Sequence, residues 1–340
     1  MLRRTLLAGA GALASLPAAG AGLIHPKALR AGDTVGLITP ATYVSDPDRL
    51  MLAERTIRYF GLRMKKGRHV GKRAGYLGGT VEQRLEDLHG MFQDPEVKAV
   101  FCIRGGYGAG QLLDRIDYEL VSRNPKIFLG YSDITTLNLA ILKRAGLVTF
   151  HGPVVLSKFS EYTRQYFRKA LFEAAPIGPV TNPPDSDPLR PAHLLRTIRG
   201  GKARGPLIGG NLSLISATMG TPFEIETKGR ILFLEDVGEQ PYALDRMLTQ
   251  LRLAGKLEAA AGIVFGECRE CGPREFQPSF ESTFSLGEVL DDILGGLKIP
   301  VLSGMTFGHT DDQATLPLGV AATLDADKGE LVIEEAATTA

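Results

Sequence analysis

Ser132 draws attention because of what surrounds it. The apolar run Ile127-Phe128-Leu129 stops at Gly130, and the serine comes two residues later. Ile134, Leu137, Ala140 and Ile141 then recur at helical spacing. Strand, sharp turn and helix in that order resemble a nucleophile elbow. Such a turn lifts a serine hydroxyl clear of a sheet and aims the next backbone N–H, here that of Asp133, at a developing oxyanion. The common elbow also has a glycine two residues past the serine, where this chain has Ile134. On this stretch alone, a plain strand-to-helix turn is the simpler reading.

A serine nucleophile needs a base to take its proton and a carboxylate to orient that base. The chain has six histidines, few enough to weigh singly. His25 lies beside an amino-terminal targeting segment. His69 and His89 sit in charged or helical surface contexts, and His193 lies in a basic, helix-like run. His151 and His309 each follow an apolar strand and precede small residues, so either could occupy a site. Glu235 ends the apolar run Ile231-Leu232-Phe233-Leu234. A carboxylate there is costly unless something pairs with it. An arginine such as Arg104 or Arg246 could do so, and so could a histidine.

A second oxyanion donor would come from a loop beside the serine strand. Arg104-Gly-Gly-Tyr-Gly-Ala-Gly110 directly follows the strand Ala99–Ile103 and could expose backbone N–H groups. A dinucleotide fingerprint is excluded there by its spacing and by the lack of an acidic residue ending a strand about 20 residues on. A glycine-rich turn that only aids packing remains an equal alternative.

These residues must be held by alternating elements. Thr34–Ala41, Ala99–Ile103 and Ile127–Leu129 read as buried strands. Helices follow, one capped by Ser45 or Asp46 and one opened by a Thr80–Gln83 capping box. The alternation predicts a parallel sheet with helices on both faces, whose ligands bind at the carboxyl ends of the strands. Both the 104–110 loop and Ser132 lie at such ends. Residues 176–191, rich in proline, read as a solvated linker. Strands at 229–236 and 261–266, helices at 242–253 and 286–294, a last core strand from Pro300 and a hairpin near the end follow.

At 340 residues, one large or two smaller domains are expected. A net charge of +1 and the absence of Trp argue against nucleic acid as a partner. Cys102 reads as core. Cys268 and Cys271 lack the second ligand pair of a zinc site and read as loop thiols or a local disulfide. Arg3-Arg4, the apolar Leu6–Leu16 run and the small residues at 17–21 form an export signal, too short to span a membrane comfortably. Stable membrane insertion after cleavage is therefore not expected. The arginine pair resembles a twin-arginine signal.

Arg104-Gly-Gly-Tyr-Gly108, Gly130-Tyr-Ser-Asp-Ile-Thr135, Gly209-Gly-Asn-Leu212, Phe233-Leu-Glu-Asp236 and Phe307-Gly-His309 occur in this order. Together they resemble the LD-carboxypeptidase family of serine peptidases, which includes the microcin C self-immunity peptidases. The similarity runs from about Gly32 to about Val332. It implies Ser132 as nucleophile, His309 as general base and Glu235 as its orienting acid, with an oxyanion hole from the N–H groups of Gly106 and Asp133. It implies a Rossmann-like amino-terminal domain with a parallel sheet and a smaller, β-rich α/β carboxy-terminal domain, in a homodimer. No metal or organic cofactor is expected. The implied substrate is the murein tetrapeptide, cut between meso-diaminopimelate and the terminal D-alanine. Arg104 is a candidate clamp for the terminal carboxylate, unless it pairs with Asp133 or Glu235. Asn211 is a further substrate-binding candidate.

The expected organisation is an export signal at 1–24, a nucleophile domain at 30–156, a helix and linker at 157–204, and a domain carrying acid and base at 205–336. The best-known family members act in the cytoplasm, whereas this signal directs the chain to the periplasm or cell envelope. A peptidase for other small peptides or peptide–nucleotide conjugates is the alternative enzyme. A periplasmic binding protein also fits two domains and an export signal, but such a protein needs no nucleophile.

Overall fold

The computed structural model describes residues 22–184, 187, 189–273 and 283–340. Most of the expected export signal, through residue 21, lies outside the described residues. Ile24 already belongs to the fold, bridging to Leu147 through hydrogen bonds with Gly146 and Val148.

Five parallel strands form most of the first sheet: β1 (Thr34–Ile38), β2 (Arg63–Lys66), β3 (Val97–Cys102), β4 (Ile127–Gly130) and β5 (Thr149–His151). The helices α1 (Pro47–Tyr59), α2 (Val81–Gln93), α3 (Tyr118–Arg123) and α4 (Thr135–Ala145) lie between them in the chain. β3 is apolar on both sides because both faces are covered. Phe101 joins one buried cluster, and Val100 and Cys102 join the other. The expected caps are present: Asp46 accepts from the Asp48 N–H at the start of α1, and Thr80 and Gln83 close a capping box on α2. The basic stretch after Gly61 supplies only the short strand β2.

The spatial order is 2-1-3-4-5, so the winding reverses between β1 and β3. A crevice opens there at the carboxyl ends of the strands. Thr42, the Arg104–Gly110 loop, Ser132 and His151 all lie at or just past those ends.

The chain continues through α5 (Glu161–Leu171), β6 (Pro176–Val180), β7 (Arg196–Arg199), β8 (Lys202–Asn211) and α6 (Leu212–Ala217). Then come β9 (Ile231–Val237), α7 (Pro241–Leu253), α8 (Lys256–Ala259), β10 (Gly262–Arg269), α9 (Leu286–Leu294), β11 (Val301–Met305), β12 (Leu316–Leu318), β13 (Ala321–Asp325) and β14 (Glu330–Ala336). The second sheet runs β6-β14-β13-β8-β9-β10-β11-β7, with β8 to β11 parallel.

Three expectations need correction. The proline-rich stretch begins with a strand, β6, which sits at the sheet edge where proline is tolerated. The basic run after His193 is the opposite edge strand, β7, and not a helix. β11 is not the last core strand: β12 returns to the first sheet and pairs antiparallel with β5, Leu316 opposite His151.

The two halves share one core. Phe101 and Leu129 of the first sheet belong to the same buried cluster as Phe233 and Phe265 of the second. The carboxyl end of β8 docks on the start of α4, where the Asn211 N–H donates to Thr135 Oγ1 at 3.1 Å. Glycines allow this approach. A Cβ on Gly210 would lie 2.5 Å from the Thr135 side chain, and one on Gly209 (φ +152°) only 1.8 Å from the Phe233 carbonyl oxygen. Gly209→Ala should therefore cost about 2 kcal/mol or more and lower Tm by roughly 4 °C or more. A variant that melts with the wild type would contradict this packing.

Candidate active site

Ser132 has φ +64°, one of two non-glycine residues with positive φ among the described residues. Such a backbone costs about 1–2 kcal/mol and must be held in place. Asp133 and Asn138 hold it. The buried Asp133 carboxylate accepts from the Ala109 N–H at 2.7 Å, and Asn138 Nδ2 donates to the Gly130 carbonyl at 2.9 Å. Ile134, which stands where the common elbow has glycine, folds back over Gly130. A Cβ on Gly130 would meet the Ile134 side chain at 2.8 Å. The turn thus places its required glycine before the serine, not after it.

The glycine loop lies directly against this turn. A Cβ on Gly105 would sit 2.9 Å from Ser132 Cβ, and one on Gly106 (φ +115°) 2.2 Å from Thr42 Oγ1. The fully buried Arg84 pins the loop, donating to the carbonyls of Pro40 and Gly108, each at 2.8 Å, and to Gln111 Oε1. Thr42 Oγ1 accepts from the Tyr107 N–H at 3.0 Å. The N–H groups of Gly106 and Asp133 donate to nothing else among the described residues. Burial raises the Asp133 carboxyl above its usual range, against the pull of the Ala109 N–H and the Arg84 charge.

Glu235, fully buried at the end of β9, meets two histidines. Its Oε2 accepts from His309 Nδ1 at 2.7 Å and from the His309 backbone N–H at 3.2 Å. Its Oε1 lies 3.8 Å from His151 Nε2. Gly308 makes the first contact possible, because a Cβ there would fall 2.4 Å from the Glu235 carboxylate. Burial alone would raise the Glu235 pKa, but the hydrogen bond and charge of His309 and the charge of His151 bring it below the ordinary value. Burial pulls His309 down, and its hydrogen bond to Glu235 and that carboxylate's charge outweigh this and hold it above the ordinary imidazole range. His151 is pushed down to about 4 by burial, which overcomes the attraction of Glu235. Between the two imidazoles stands the Tyr131 ring, 4.8 Å from that of His309 and 6.1 Å from that of His151.

Ser132, His309, Gly106 and Arg104 line one open cleft of about 440 Å³, with Arg49 and Leu52 of α1 at its wall. Arg104 makes no ion pair among the described residues, so its carboxylate-binding capacity is free; neither Asp133 nor Glu235 uses it. Arg246 does not reach Glu235 either: its guanidinium lies over Tyr242. Asn211, the further substrate-binding candidate, stands at the end of β8. Its Oδ1 caps α6 by accepting from the Leu214 N–H, and its Nδ2 donates to Asp236 Oδ1 at 3.1 Å. The side chain is 3% exposed and is not part of the cleft lining. Each of its two polar ends thus has one partner within the fold. Sequence reasoning missed Arg84, Thr42 and Thr135. Arginine and threonine beside glycine loops carry no spacing signal of their own. Cys268 and Cys271 form a disulfide, and Cys102 is core. Among the described residues no cluster of His, Cys, Asp or Glu could hold a metal ion.

A strained serine turn, a glycine loop with free amides and a carboxylate–imidazole pair at one cleft define a hydrolase of the serine-peptidase kind. Residues 35–152 match the model of the LD-carboxypeptidase N-terminal domain, and residues 204–324 that of the LD-carboxypeptidase C-terminal domain. A Bacillus subtilis protein named "Probable murein peptide carboxypeptidase" is 42% identical over 309 residues, covering 91% of this chain and 94% of that one. The microcin C7 self-immunity protein of Escherichia coli is 30% identical over 334 residues, 90% of this chain and 94% of its own. The crystal structure of muramoyltetrapeptide carboxypeptidase from Oxalobacter formigenes superposes with a TM-score of 0.75 at 30% identity, covering 90% of this chain and all of that one. The chain belongs to the LD-carboxypeptidase family, and it is a carboxypeptidase.

The two histidines should titrate far apart. In ¹⁵N-histidine NMR spectra, His309 should take its proton at a pH above about 6.5, the ordinary imidazole value, and His151 should stay neutral until the pH falls to about 4. Coincident titration near the ordinary value would refute this electrostatic arrangement.

Proposed function

We propose that this enzyme removes the terminal D-alanine from murein tetrapeptides by acyl transfer through Ser132. Ser132 Oγ attacks the carbonyl carbon of meso-diaminopimelate as His309 Nε2 takes the hydroxyl proton. Glu235 holds the His309 ring through Nδ1 and balances the imidazolium that forms. The N–H groups of Gly106 and Asp133 bind the oxyanion. His309 then gives its proton to the nitrogen of D-alanine, which leaves. Water, deprotonated by the same imidazole, hydrolyses the ester and restores the serine. Arg104 binds the free carboxylate of the leaving residue, which restricts cleavage to a chain end. The observation that carries this reading is the hydrogen bond that the buried Glu235 accepts from His309, which lines the cleft together with Ser132 and Arg104. The named murein peptide relatives support the substrate. The microcin relative supports a second reading, in which the same machinery cuts peptide–nucleotide conjugates.

D-Alanine release from purified murein tetrapeptide tests the proposal. Ser132→Ala should lower kcat by roughly three orders of magnitude or more. Because protonated His309 cannot act as a base, kcat/KM should fall as pH drops through a value above the ordinary imidazole range. Arg104→Met should erase the preference for a free over an amidated carboxyl terminus. Cleavage of a peptide–nucleotide conjugate without cleavage of the tetrapeptide would establish the second reading instead.

Export to the periplasm or envelope is part of the proposal. It rests on the amino-terminal pattern and is supported by the Cys268–Cys271 disulfide, a bond that oxidising compartments preserve. Cell fractionation should recover the protein outside the cytoplasm, shortened by about two dozen residues. Full-length protein in the cytosol would overturn this part.

A further inference from the structure

Glu235 is bonded unevenly. Oε2 accepts two hydrogen bonds, and Oε1, equally buried, accepts none among the described residues. A carboxylate buried this deeply normally has donors on both oxygens. The group facing Oε1 is His151 Nε2, 3.8 Å away. That gap is too short to hold a water, since two water hydrogen bonds in sequence need roughly 4.5–5 Å between their ends. It is longer than a direct bond by an amount that a small shift closes, as happens when apo sites tighten around substrate.

His151 has nothing else to do. It is 1% exposed, and neither ring nitrogen has a hydrogen-bond partner among the described residues. Packing fixes the ring: Phe233 lies 5.3 Å from it edge to face, Tyr131 lies on another side, and β12 pairs alongside its strand. Among the described residues the titratable groups that act on it are Glu235 and His309, and the Tyr131 ring packs against it. One carboxylate cannot support two buried imidazolium ions, so the histidine that protonates during turnover is the more exposed one, His309.

Resting on the triad reading above, we propose that His151 is a positioning residue. As a neutral imidazole it presents Nε2–H to Glu235 Oε1 and prevents the carboxylate from rotating away from His309. Without this second donor, Glu235 would turn and share its charge between two poorly placed contacts. The imidazolium of His309 would then form in a misaligned ring, and displacements of about 1 Å can cost on the order of 100-fold in rate.

The test compares His151→Phe, which keeps the ring volume and loses the donor, with His151→Gln, which keeps an N–H. His151→Phe should lower kcat for D-alanine release about 10–100-fold with KM within about twofold. The acid limb of its kcat/KM profile should move to lower pH, because a Glu235 turned away from His309 holds the His309 proton less tightly. His151→Gln should restore most of kcat and return the limb. A folded His151→Phe with wild-type kcat and pH limb, whatever its Tm, would make His151 ordinary core and overturn the proposal. Should His151→Phe fail to fold, ¹⁵N NMR of the wild-type protein decides: the Nε2–H tautomer of His151 at neutral pH is expected, and an Nδ1–H tautomer overturns it. Ser132→Ala and His309→Ala serve as separate controls. Activity retained in them would defeat the triad reading, and the tautomer of His151 would still be read independently.

Discussion

A carboxylate with no exposure to solvent is stable only where hydrogen bonds and opposite charge replace its lost water. Glu235 is such a group, and His309 is what makes it tolerable. The two belong to different strand ends of the second sheet, and the serine they would serve belongs to the first. The site therefore exists only if the sheets meet with their carboxyl ends together. The shared core, the Asn211–Thr135 hydrogen bond and the return of β12 to β5 all serve that meeting.

The close approaches that assemble the site occur where a side chain is missing. Gly105 lets the loop lie on Ser132, Gly106 lets it lie on Thr42, Gly210 lets β8 reach α4, and Gly308 lets the His309 loop reach Glu235. These glycines are steric requirements of a site assembled from separate pieces. The polar groups behind them, Arg84 and Asp133, are buried and both bond to that loop. They give the glycine loop a rigidity that glycine alone would not.

Much of this was legible in the chain. Strands covered on both faces read as unbroken apolar runs, and the caps of α1 and α2 declared themselves through Asp46 and the Thr80–Gln83 pair. Ser132, Glu235, His151 and His309 stood out because each follows such a run, and the family resemblance singled out His309 from the two histidines. The edge strands β6 and β7 could not, since an edge needs neither continuous apolarity nor an N–H at every position. Pro176 and the arginines at the two ends of β7, Arg196 and Arg199, therefore looked like linker and helix. The cap that Asn211 forms on α6 was not read, because an asparagine after two glycines has the same appearance whether it caps a helix or meets a ligand. His151 stayed ambiguous for a related reason: nothing in its own neighbours announces a carboxylate that arrives from more than eighty residues away.

The return of β12 also bears on how such a chain can be inherited. Three residues from the carboxy-terminal half complete the sheet that carries Ser132, on the flank next to His151. Cut away, they would leave β5 as a raw edge open to pairing with other chains. The halves are thus not exchangeable modules. Recombination that swapped one of them would have to bring a matching last strand with it, so the unit that evolves is the whole interlaced pair.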